Sequence, residues 1–203
     1  MKQYNNRKKG IIFFMPEIGV GGVENNLFNI SNYLSKKIKN IKIFTNSKII
    51  KKNFFNNVEI IVTKFRYINH LNLRLKYFIC LFHLYLYLRK NKNFIVLSFQ
   101  ANVYCVIICK LLNIKIIVRS NTSPIGWKHN LIKKKIYKFI MKKADVFLVN
   151  SLEFKKQIKN EYDLDAKCIF NPLNKKKIIK LSKNNSKNYY ENNKKILRII
   201  NIG

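Results

Sequence analysis

Short apolar runs rich in Ile, Val and Phe alternate along the chain with longer stretches whose apolar positions recur every three to four residues. Runs of the first kind predict buried strands over 11–15, 41–45, 58–63, 94–99, 114–119, 146–150 and 167–170. The second kind predicts helices. Over 23–35 the spacing of Val23, Leu27, Ile30 and Leu34 marks one apolar stripe. Residues 67–90 form a long helix that is apolar on nearly every side, which suits burial on more than one face or contact with lipid. Further helices follow over 101–112, over 129–143 as a basic amphipathic element, and over 152–161, where Ser151 is placed to cap the first turn.

Repeated strand–helix–strand units predict an α/β fold: a Rossmann-like, mainly parallel sheet with helices on both faces. Ligands of such sheets bind beyond the carboxyl ends of the strands, where the strand order reverses. The segments of interest are therefore 19–24, 99–102, 119–127 and 150–151. After Leu173 the pattern fades. Residues 174–195 are rich in Lys and Asn, predicting a helix remnant and then a linker. Residues 196–203 are again strand-like and end in Gly203, as if a second βα array were to follow.

With 203 residues, 48% of them hydrophobic, the chain can bury a core of one domain or slightly more. The formal charge of +32 is extreme. It suits nucleic acid, whose phosphates Lys and Arg neutralise, or an anionic membrane surface. The Lys residues are scattered over every segment, however, which fits an overall bias towards Lys, Asn, Ile, Tyr and Phe better than a dedicated polyanion site. Cys80, Cys105, Cys109 and Cys168 show no metal-ligand spacing and each sits in an apolar run; buried, reduced thiols are expected. The longest uncharged apolar run, 77–88, would span roughly 18 Å as a helix against a hydrocarbon core of about 30 Å. It is too short to cross a bilayer, and a buried or interfacial helix fits better.

The loop Gly19-Val20-Gly21-Gly22-Val23-Glu24 follows the first strand and opens the first helix. Glycines there permit close backbone approach to a ligand, though the same residues also suit a tight turn. As a dinucleotide fingerprint the loop fails, because Glu24 occupies the last Gly position and no acidic residue follows the second strand. No Walker-type phosphate loop occurs. Arg119 leaves the fifth strand at the carboxyl edge, where it could meet an anionic or hydroxyl group, or form a salt bridge with Glu24 or Asp145. His83 lies in an apolar helix, and His70 and His129 lie in basic surroundings without a carboxylate partner. Among only 9 acidic residues, no paired-carboxylate or Ser–His–Asp arrangement stands out.

Several of these segments resemble the family 4 glycosyltransferases. Residues 19–34 resemble that family's Gly-Gly-x-Glu step and its following amphipathic helix, and 96–102 its fourth strand. Ile116-Ile117-Val118-Arg119-Ser120-Asn121 is similar to its fifth strand and loop, and Ala144-Asp145 through Ser151 to its Ala-Asp-x-apolar-apolar-x-x-Ser run. Ile169-Phe170-Asn171-Pro172-Leu173 is similar to its Ile-x-Asn-Pro-apolar segment, and 199–203 to the first strand of the donor domain. The resemblance implies a GT-B fold of two Rossmann-like domains, retaining chemistry, no metal and no cofactor. Its nucleotide-sugar donor and its E-x7-E motif belong to a C-terminal domain. Where many relatives carry a His after the fifth strand, this chain has Asn121, whose amide can hydrogen-bond a sugar but cannot shuttle a proton.

The expectation is thus an acceptor-binding half (1–173), a linker (174–195) and the first strand of a donor-binding domain (196–203). This half would present a cell-surface or lipid-linked glycan through Gly21, Gly22, Glu24, Arg119 and Asn121. Catalytic residues would lie in the other domain, leaving the isolated chain inactive. A cytoplasmic location is expected, with peripheral attachment to anionic membrane through basic surface and the flank of the 67–90 helix. The alternatives are a basic nucleic-acid-binding protein and a non-catalytic remnant of a glycosyltransferase.

Overall fold

The computed structural model describes residues 10–47, 53–63, 72–121 and 131–183. Met1–Pro172 forms one compact unit and Leu173–Gly203 another. In the first, strands β1 (Gly10–Phe14), β2 (Ile41–Thr45), β3 (Val58–Val62), β4 (Phe94–Ser98), β5 (Ile116–Arg119), β6 (Val146–Val149) and β7 (Lys167–Cys168) form one sheet. Its order is β3-β2-β1-β4-β5-β6-β7 and every pairing is parallel. The order reverses between β1 and β4, so a crevice is expected beyond their carboxyl ends. Helices α1 (Gly22–Ser35), α2 (Leu73–Lys90), α3 (Asn102–Leu111), α4 (Leu131–Met141) and α5 (Leu152–Tyr162) connect the strands. The second unit contributes α6 (Lys175–Lys183); the expected strand over 196–203 lies outside the described residues.

Alternate residues of the strands feed two cores. Phe13, Ile41, Ile43 and Leu97 pack with Leu27 of α1 on one face of the sheet. On the other, Ile12, Phe14, Val96 and Val118 pack with the inner sides of α2, α3, α4 and α5. Within this unit helices therefore lie on both faces, α1 on one and α2, α3, α4 and α5 on the other. Strands buried on both faces explain the near-continuous apolar runs in the sequence.

Hydrogen bonds at element ends fix where each element stops. Asn72 caps α2 by accepting from Leu75 N at 2.9 Å, which sets the start of that helix at Leu73. The Ser151 hydroxyl accepts from Phe154 N at 3.0 Å, as its position before α5 predicts. At the end of α3, Asn113 adopts φ 55°, Asn113 N donates to Lys110 O, and Ile114 N donates to Cys109 O at 2.7 Å. This left-handed closure absorbs Ile114, so β5 begins at Ile116 instead of 114. Asp145 accepts from Ile116 N at 2.8 Å and from Lys110 Nζ at 2.7 Å, tying the start of β5 to the entry of β6. Burial works to raise the Asp145 pKa, but the Lys110 ammonium and the Ile116 N–H outweigh it, leaving the carboxyl below its usual range.

Cys80, Cys105 and Cys109 are buried, and Cys168 is half-exposed. Burial pushes the Cys80 and Cys109 thiols up to about 12 and the Cys105 thiol well above its ordinary value. Alkylation requires thiolate and access. Brief iodoacetamide treatment of the folded chain should therefore label Cys168 alone, whereas denatured chain should label all four cysteines. Intact-mass analysis checks this, and rapid labelling of Cys105 under native conditions would contradict the packing described.

Candidate functional site

The carboxyl rim of the sheet begins with the turn between β1 and α1. Gly21 stands at the N-cap of α1 in extended conformation and offers no side-chain hydrogen bond to the helix. The first-turn N–H groups consequently have no intrahelical acceptor. Glu24 bends back instead, its Oε1 accepting from Gly19 N at 3.4 Å. An added Cβ on Gly21 would lie 2.8 Å from Glu24 Oε2, whereas one on Gly22 would meet nothing within 4 Å. The Gly22 backbone thus faces open space. A carboxylate in the first turn opposes the positive end of the helix dipole, so this corner suits hydroxyl groups better than anions.

Beneath the turn, the segments leaving β2 and β4 hold the backbone. Ile18 N donates to Ser47 Oγ at 2.9 Å, and Asn46 N donates to Pro16 O at 2.8 Å. Gln100 Oε1, just past β4, accepts from Glu17 N and from the Tyr77 hydroxyl, each at 3.2 Å. Ala101, between Gln100 and α3, has φ 53°, a left-handed conformation rarely taken by a residue with a Cβ. That turn separates the directions of Gln100 and Asn102. Asn102 Nδ2 donates to Arg119 O at 3.2 Å, while the Ser98 hydroxyl lies 2.7 Å from Asn102 Oδ1 and 2.8 Å from Gln100 O. The Tyr77 pKa is raised, first by burial and then by the negative charges of Glu17 and Glu24.

Arg119 closes the rim on the other side, and its placement corrects one reading of the sequence. It pairs with neither Glu24, which folds onto Gly19, nor Asp145, which Lys110 and Ile116 engage. Its Nη2 donates to Asn171 Oδ1 at 2.8 Å and to Ile169 O at 3.3 Å, so the side chain straps the exit of β7 to β5. Ile169 N still donates to Val149 O at 2.9 Å, and β7 ends at Cys168 instead of 170. Arg119 is 1% exposed, has no carboxylate partner among the described residues, and its Nε is unmet. Burial lowers its pKa from the ordinary value. Asn121 Nδ2 donates weakly to Phe99 O at 3.4 Å, and its buried Oδ1 also lacks a partner among the described residues.

The five expected residues therefore fall into two groups on one sheet edge: Gly21, Gly22 and Glu24 at β1, and Arg119 and Asn121 at β5. Gln100, inside the expected 99–102 segment, and Tyr77, which the sequence did not single out, join the rim. Gln100 is legible in principle, as the residue leaving a strand at the switch point; Tyr77 arrives only through tertiary packing of α2. His83 is a partly buried residue beside Phe82, with Nδ1 unpartnered. His70 and His129 lie outside the described residues. Among the described residues no group of three His, Cys, Asp or Glu side chains is placed to hold a metal ion. A cavity of about 490 Å³ lined by Asp145, Phe147, Asp163 and Lys167 lies at the amino edge, where the carboxylates serve structural ion pairs. Ligands of open α/β sheets bind at the opposite edge.

No family model matches the sequence, and no curated protein matches it. Solved structures do match in fold. HepE of Anabaena, solved with UDP and glucose, shares 12% identity over 81% of this chain and 45% of its own, with a TM-score of 0.57. UGT2 of Phytolacca americana, solved with UDP-2-fluoro-glucose and pterostilbene, shares 9% over 86% of this chain and 57% of its own, at 0.60. UGT73P12 of Glycyrrhiza uralensis, solved with glycyrrhetinic acid 3-O-monoglucuronide, shares 9% over 79% and 48%, at 0.56. The fold is the Rossmann-like α/β fold of GT-B glycosyltransferase structures. The chain spans about half the length of the structures it matches.

Proposed function

We propose that this chain is the acceptor-binding half of a family 4-like, retaining glycosyltransferase acting on a lipid-linked or cell-surface glycan. Residues 1–173 present the acceptor, 174–195 act as linker, and a second Rossmann-like domain begins at 196. That domain binds the nucleotide-sugar and supplies the catalytic groups, so these 203 residues alone bind acceptor without transferring sugar. The reading is supported chiefly by the carboxyl rim, where Arg119 is a buried cation with no carboxylate partner among the described residues, on the same edge as the open Gly22 backbone. A sugar would donate and accept at Gly22, Glu24 and Asn121, and the Arg119 charge would favour an anionic group attached to it. Transfer needs both halves, because the departing diphosphate must be neutralised while the acceptor is held beside it.

Titration calorimetry with a short-chain prenyl-diphosphate-linked sugar and, separately, UDP-glucose tests the division of labour. The prenyl-linked sugar should bind the chain and UDP-glucose should not. Binding of the nucleotide sugar alone would reverse the assignment of the two halves, and tight binding of an RNA oligonucleotide in place of either would favour the nucleic-acid alternative.

Gly22→Leu separates binding from folding. Its side chain would project into open space at the start of α1, so melting should move by no more than about 2 °C. The same side chain would cover the backbone offered to the acceptor, weakening its binding by about tenfold, a cost near 1.4 kcal/mol. Unchanged affinity would make Gly22 a turn residue only.

A further inference from the structure

The three helices α2, α3 and α4 lie side by side on one face of the sheet. Each is amphipathic in an unusual sense. Its inner side enters the core through Cys80 and Leu84, Cys105 and Cys109, or Tyr137 and Met141. Its outer side is also apolar. Phe78 and Phe82 on α2, Tyr104 and Leu111 on α3, and Ile136 and Phe139 on α4 are all exposed, Phe78 by 70%, Leu111 by 74% and Phe139 by 65%. Single exposed apolar residues are ordinary, but here they recur at helical spacing on three adjacent helices. The 67–90 helix is thus not buried on a second face over its described part.

Charge narrows the choice of occupant. No Asp or Glu occurs between Glu59 and Asp145, so α2, α3, α4 and every residue joining them carry no acidic group. Basic residues interleave with the apolar ones. Lys135 and Lys143 are exposed beside Ile136 and Phe139, the Lys143 ammonium lying 4.4 Å from the Phe139 ring centroid, and Arg89 and Lys90 end α2. A second copy of this face would set cations against cations. A nucleic acid would leave the aliphatic Leu111 and Ile136 without a counterpart. An anionic bilayer accepts both kinds of group at once, with apolar side chains entering the headgroup–acyl boundary while Lys heads remain at the phosphates.

We infer that the outer face of α2, α3 and α4 is a docking surface for an anionic lipid bilayer, held parallel to the membrane plane. No helix among the described residues is long and apolar enough to cross a membrane, so the attachment is to the surface. The helices run antiparallel to the strands, so their first turns lie at the carboxyl-rim end of the docked face. This deepens the peripheral location expected for the chain but requires no sugar transfer, so its failure leaves acceptor binding standing.

Co-sedimentation of the 203-residue chain with phosphatidylcholine vesicles, with and without phosphatidylglycerol, tests it. The chain should pellet with the anionic vesicles only. Phe78→Ser combined with Phe82→Ser and Phe139→Ser should lower partitioning by at least about tenfold while leaving the circular dichroism spectrum unchanged, since all three side chains are exposed. Lys135→Gln and Lys143→Gln should each lower it by roughly fivefold at low salt. Tyr33→Ser, on α1 across the sheet, should change nothing. Wild-type partitioning by the triple Ser variant, or an equal loss with Tyr33→Ser, would overturn the docking face. So would displacement from vesicles by RNA, or a dimer in sedimentation equilibrium that the triple variant abolishes.

Discussion

Gly10→Val should lower the melting temperature by about 6–12 °C, the result of roughly 3 kcal/mol of lost stability. Gly10 is buried at the start of β1, the strand between β2 and β4 at the centre of the sheet. An added Cβ would lie 2.1 Å from Asn40 O and 2.5 Å from Asn40 Cβ. The obstacle is space, not dihedral angle, because no glycine among the described residues, Gly10 included, has positive φ. Nor can the neighbour move cheaply. Asn40 O accepts from Ile11 N at 2.9 Å, and Asn40 leads directly into β2. Making room means shifting the β1–β2 pairing that begins at Ile11 and Ile41. Gly22→Ala, with nothing near its Cβ, is the matched control and should melt like the wild type. A Gly10→Val chain melting within about a degree of the control would mean the β2 entry is far more yielding than its bonding indicates.

The sheet was legible in the sequence because strands covered on both faces have to be apolar throughout. Ile11 through Phe14 and Phe94 through Leu97 could not be hidden by alternation. Element ends were less legible, for local reasons that composition does not report. Ile114 looks like strand, but the left-handed Asn113 makes it the apolar closure of α3. Residues 169 and 170 look like strand as well, but the last bond to β6 runs from Ile169 N to Val149 O, and the Ile169 carbonyl meets the Arg119 guanidinium instead of a further strand. The rim shows the same limit. Loop glycines and the residue leaving β5 follow from the rule that ligands meet carboxyl ends. The contact between Arg119 and Asn171, or between Tyr77 and Gln100, depends on which strands and helices become neighbours. The double-sided apolar character of α2 was visible, and the sequence left open whether its outer side meets protein or lipid.

Asn171→Asp should raise stability yet weaken binding of an anionic acceptor, and the opposite signs make it the sharpest test of Arg119. In the present chain Arg119 Nη2 donates to a neutral amide oxygen at 2.8 Å. A carboxylate at the same distance turns this into a charge-assisted bond with a cation that burial has left uncompensated. Because Asn171 itself is exposed, screening limits the gain to about 1 kcal/mol, or a rise of roughly 2–4 °C. The new carboxylate would have its pKa depressed by Arg119. Its contribution should be full above the unfolded Asp value of about 3.9 and vanish as pH falls through the lower folded value. Neutralising the cation removes the attraction for a ligand's anionic group, so affinity for the prenyl-diphosphate-linked sugar should fall by at least about tenfold near neutral pH. Denaturation and calorimetry on the same sample measure both effects. A more stable variant with wild-type affinity would make Arg119 a strap for the β7 exit and nothing more. A less stable one would mean that the guanidinium already has its charge balanced at this edge.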